Sequence, residues 1–101
     1  MPDRCLERAV FVRDPAAVTR RLGEETVIVP LRHDVADLTS IYTLNDTGSF
    51  VWELLGGAFS LQQVCDRLEE NFDVDPGQAR RDVLELITDL EAEGLIREQR
   101  D

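Results

Sequence analysis

Lysine is absent from the sequence, so all eleven basic residues are arginine, and they face twenty-one acids for a formal charge of −10. Affinity for nucleic acid comes largely from cations that displace counterions from phosphates, so this balance excludes a general nucleic-acid binder. Histidine is nearly absent too. His33 is alone and lies in a polar connector between Arg32 and Asp34, which reads as a surface position rather than a member of a Ser–His–Asp or Cys–His pair. Cys5 and Cys65 are the only cysteines, with no CxxC spacing. One histidine and two distant cysteines cannot supply the four-ligand set of structural zinc. The acids Asp82, Glu85 and Asp89 recur at helical spacing and lack the glycine and alternation of a calcium loop. Gly56-Gly57 follows a helical pattern with no lysine after it, which excludes a phosphate cradle. There is no long apolar run and no signal peptide, so no membrane contact is expected, the cytoplasm is the expected compartment, and both thiols should be reduced there. No catalytic residue, metal ligand or cofactor is expected, and the chain reads as a non-enzyme.

What the sequence does have is enough apolar content, 43% of 101 residues, for one core, and residues 1–101 read as a single domain. The first half reads as three strands. Ala9–Val12 is a short β-like run, and Thr26–Leu31 is dense in β-branched residues, with Pro30 marking its end or an edge. Leu38–Leu44 is the third, with Leu38, Ser40, Tyr42 and Leu44 on one face and Thr39, Ile41 and Thr43 on the other.

From Asn45 the period becomes helical. Asn45, Asp46 and Thr47 are candidate N-caps ahead of Phe50, Val51, Leu54 and Leu55. Ser60 and Gln63 form a capping box for a second helix with the stripe Leu61, Val64, Cys65, Leu68 and Phe72. Asp75-Pro76 starts a third, whose stripe is Ala79, Val83, Leu86, Ile87 and Leu90 and whose stop is Gly94. Trp52 should be at least half buried beside the first stripe, and Gly48, a poor residue for a first helical turn, implies close backbone packing. Strands followed by helices give an α+β, winged-helix-like class.

Two segments carry a resemblance. Tyr42-Thr43-Leu44-Asn45-Asp46-Thr47-Gly48, Trp52, Leu54-Leu55-Gly56-Gly57 is one, and Phe72-Asp73-Val74-Asp75-Pro76, Ala79, Asp82-Val83, Leu90, Gly94-Leu95-Ile96 is the other. Together, over about residues 38–96, they resemble the PqqD-like family, the recognition element for ribosomally made, post-translationally modified peptides. The Thr47-Gly48-x-x-x-Trp52 form matches the broad family rather than members of the pyrroloquinoline-quinone pathway themselves. The resemblance implies three strands and three helices that bind the leader of a precursor peptide as an added strand, in a groove walled by the third helix. It also implies a free-standing adaptor that presents the leader to a radical-SAM enzyme, another peptide-modifying enzyme or a protease.

The residues themselves permit this mode. Leu38–Leu44 has neither charge nor proline, the usual guards of an exposed strand edge. A neighbouring strand or a second copy of the chain, giving a homodimer, would cover that edge equally well. On the strand-addition reading the peptide site comprises Thr39, Ile41, Tyr42 and Thr43 of the strand with Arg80, Val83, Leu84 and Ile87 of the third helix. Arg80 and Arg81 would meet an acidic leader residue, whereas the acidic surface as a whole would steer a basic segment. Two other readings remain, a winged-helix transcription regulator and a subunit that scaffolds an enzyme complex.

Overall fold

Capping chemistry sets the three helices where the residues place them. The computed structural model describes residues 8–32, 35–36 and 41–99. Helix α1 (Asp46–Leu54) starts at Asn45, whose side chain accepts from the Gly48 amide at 2.9 Å. Helix α2 (Leu61–Asn71) has both halves of the capping box: Ser60 Oγ accepts from Gln63 N–H and Gln63 Oε1 from Ser60 N–H. Helix α3 (Pro76–Ala92) is capped by Asp75, with Pro76 where its missing donor costs nothing. It ends at Gly94, in the left-handed region at φ +74°. The Leu95 amide donates to Leu90 O and the Gly94 amide to Glu91 O, so the last carbonyls are satisfied.

Strands β1 (Val10–Arg13), β3 (Glu25–Val29) and β6 (Tyr42–Leu44) are the three expected ones, β6 being shorter than its sequence pattern; residues 37–40 lie outside the described residues. Five more were not expected: β2 (Val18–Leu22), the two-residue pair β4 (Leu31–Arg32) and β5 (Val35–Ala36), β7 (Gly56–Ser60) and β8 (Ile96–Gln99). They convert isolated runs into sheets. β1 is the middle of the antiparallel sheet β7-β1-β8, paired with β7 from Val10↔Ser60 to Val12↔Gly56 and with β8 from Val10↔Gln99 to Arg13↔Ile96. β3 is the middle of a second antiparallel sheet, β2-β3-β6, in which a two-residue turn through Gly23 (φ +65°) joins β2 to β3.

One core lies between these sheets and the helices. Phe11, Ile28 and Leu44 come from strands, and Val51, Trp52, Leu61, Val64, Leu68, Ala79, Val83, Ile87 and Leu90 from helices. Trp52 is 1% exposed, so the expected burial is met in full. Its indole N–H donates to Thr19 Oγ1 at 3.2 Å, its carbonyl accepts from Arg13 Nη1 at 3.1 Å, and the Arg13 guanidinium lies 5.8 Å from its ring centre. A buried indole needs such a partner, and β2 provides it. Cys65 is a buried core residue as expected; burial pushes its thiol pKa up, and the nearby Arg80 works against that rise.

Candidate functional site

Among the described residues, the sheet order β2-β3-β6 gives β6 a partner on one side only. Tyr42 pairs with Ile28, Thr43 with Val27 and Leu44 with Thr26, and the same three residues line a groove of 440 Å³ together with residues of α3. The alternation is the one the sequence dictates: Leu44 is buried, Tyr42 is partly buried and packs against the core, and Thr43 is exposed. Strand edge and groove together therefore present main-chain hydrogen-bonding groups next to an apolar floor.

Local packing explains how the groove forms. Gly48 is buried in the first turn of α1 and lines the groove. A Cβ there would come within 3.1 Å of Asn45 Oδ1 and 3.3 Å of two Leu44 carbons. The glycine thus lets the helix start lie directly against the end of β6, and the close packing expected at this position is present. Val51 of α1 and Leu68 of α2 complete the floor, with Val83 and Leu86 from α3. Tyr42 closes one side, its hydroxyl donating to Asp89 Oδ2 at 3.5 Å. Burial first, then the Asp89 charge and this hydrogen bond, raise the Tyr42 pKa above its ordinary 10.0.

Of the residues named from the sequence, the structure brings Tyr42, Thr43 and Val83 together in the groove. Ile41 lies just before β6 and is 46% exposed. Thr39 lies outside the described residues. Leu84 is partly buried and faces a separate shallow depression with Glu85, Thr88 and Asp89. Ile87 points into the core, 3% exposed, and Arg80 is not among the groove residues.

Sequence reasoning missed Leu86, which it had placed on the core line of α3. The buried line is Ala79, Val83, Ile87 and Leu90, and Leu86 sits half-buried at the groove instead. It missed Asp82, Glu85 and Asp89 as groove residues as well. Their three- and four-residue spacing was the available signal, since it puts them on one stripe of the helix with Leu86. Among the described residues, no group of three or more histidine, cysteine or acidic side chains could hold a metal ion, and no helix is long and apolar enough to cross a membrane.

Comparison with known proteins follows the same lines. No curated protein sequence matches the chain. Among solved structures, TbiB1 in complex with the TbiA(beta) leader peptide superposes with a TM-score of 0.73 at 21% identity, over 89% of this chain and 99% of that one. A lasso peptide synthetase B1 complexed with the leader peptide gives 0.70 at 23% identity, over 86% and 96%. These likenesses establish that the fold is shared. The family model for coenzyme PQQ synthesis protein D (PqqD) matches residues 25–96, which is most of the chain, and the chain belongs to that family.

Proposed function

We propose that the chain is a non-catalytic adaptor that binds the leader segment of a ribosomally made precursor peptide and presents it to a modifying enzyme. The observation that carries this reading is one coincidence: β6, an edge strand of its sheet among the described residues, lines the groove together with α3. A strand edge alone offers affinity without selectivity, and a groove alone offers selectivity without register. Placed side by side they meet both needs of β-augmentation, main-chain bonds along the edge and pockets for alternate side chains. The family membership supports it, as do the two neighbours of like fold, each of which holds a leader peptide. The enzyme served would be a radical-SAM enzyme, another peptide-modifying enzyme or a protease.

The test is a titration of ¹⁵N-labelled protein with synthetic leader segments of candidate ribosomal precursor peptides. Amide shifts should move at Tyr42–Leu44 and along the Asp82–Asp89 face of α3. Leu86→Asp should lower affinity at least tenfold while the spectrum stays that of a folded protein, because a charge would then be buried under the peptide. Unchanged affinity in a folded Leu86→Asp variant would remove the groove from the binding site.

A further inference from the structure

We propose that the β6–α3 groove selects a peptide with an arginine or lysine beside its apolar anchor, and that Asp82, Glu85 and Asp89 read that charge. This rests on the peptide-binding reading and adds the charge of the ligand to it. All three residues line the groove, and among the described residues no arginine does. None of them forms an ion pair with a described residue. Asp82 accepts from Gln78 Nε2 at 2.7 Å and Asp89 from the Tyr42 hydroxyl at 3.5 Å, both neutral donors, so among the described residues the negative charge is left uncompensated.

The arrangement works against the helix that carries it. Like charges three and four residues apart repel, and a surface helix of this length would ordinarily alternate them with cations. Here the cations of α3 lie off the groove. Arg81 donates to Gln78 Oε1 at 3.1 Å, and Arg80 lies near enough to Cys65 to influence its thiol. An acidic leader residue held by Arg80 and Arg81 would therefore sit outside the groove, whereas a basic one inside it would meet three carboxylates around the Leu86 floor. A formal charge of −10 steers a cationic segment toward the same face from a distance.

The experiment is selection from a display library of random short peptides, run on the unaltered chain and on the Asp82→Asn, Glu85→Gln, Asp89→Asn triple variant. Binders of the unaltered chain should be enriched in arginine and lysine next to an apolar residue, and the triple variant should lose that enrichment. The best such binder should weaken about tenfold on the triple variant, and by a similar factor when salt is raised from low to high. Binders that shift the Tyr42–Leu44 amides yet carry no excess of basic residues would overturn the charge selection and leave the groove reading intact. Binders whose shifts fall elsewhere, or a selection that yields none, would overturn both.

Discussion

The sheet β2-β3-β6 has two edges, and they are built by opposite rules. β2 is long, exposed at every residue, and carries Arg20 and Arg21 at its middle. β6 is three residues long, has no charge, and borders a groove. Arginines on β2 are the usual device that keeps an exposed edge from pairing with another chain. Arg21 is also tied down by pairing with Glu53 of α1, and Thr19, two residues earlier on the strand, accepts from the buried Trp52. Among the described residues nothing of the kind guards β6, where Tyr42 instead donates to Asp89 of α3. Among the described residues one sheet therefore has a charged edge and an uncharged one, and the contrast favours the β6 side for the peptide binding proposed above.

That contrast can be broken in three places. The largest effect is expected from Trp52→Ala, which removes the fully buried ring under β2 together with its bond to Thr19. Stability should fall by about 3–5 kcal/mol in urea unfolding, enough to leave a domain of this size largely unfolded. A loss below about 1 kcal/mol would show that β2 is held by other contacts. Next is Arg20→Val with Arg21→Val, which turns β2 into an uncharged run between Val18 and Leu22, already 46% and 57% exposed. Sedimentation velocity should show association beyond that of the unaltered chain, and no change would mean that the arginines do not guard the edge. The smallest effect belongs to the β6 side. Tyr42 is the only tyrosine, so its ionisation can be followed by ultraviolet absorbance, and its midpoint should lie above 10.0. The folded state holds this proton more tightly than the unfolded chain. Its contribution to stability is therefore complete below about pH 10 and lost as pH rises through the folded pKa. Asp89→Asn should move the midpoint back down; a midpoint at or below the ordinary value would remove the Tyr42–Asp89 tether.

How much of this could be read in the residues depends on which neighbours each element answers to. Helices answer to their own ends, and Asn45, the Ser60–Gln63 box and Asp75-Pro76 marked every start correctly. Strands answer to partners far away in sequence. β2 was invisible because both of its faces are exposed, which leaves no alternation to detect. β7 was hidden behind Gly56-Gly57, read only as a helix stop, and β8 looks like a charged tail until β1 lies beside it. The groove was half legible. The lack of charge and proline suggested an open third strand, and Tyr42–Leu44 does end its sheet among the described residues, whereas on the helix side Leu86 lines the groove and Ile87 enters the core. Both fit the spacing from Val83, and only the packing of α2 and β6 decides which one enters the core. The Asp82–Glu85–Asp89 stripe was plain in the sequence, yet acids on a helix ordinarily just face water, so the groove had to be seen before the stripe acquired a meaning.

The position of β1 has a consequence for how the chain acquires its shape during synthesis. Its register partners are Gly56 and Ser60 on one side and the run Ile96–Gln99 on the other. β1 therefore waits for β8, across a long sequence separation that makes the pairing slow and entropically costly. Until then Phe11, buried to 1% in the finished molecule, lacks the sheet that holds it in place. A chain stopped before Ile96 would lack that second partner and leave β1 paired through β7 alone.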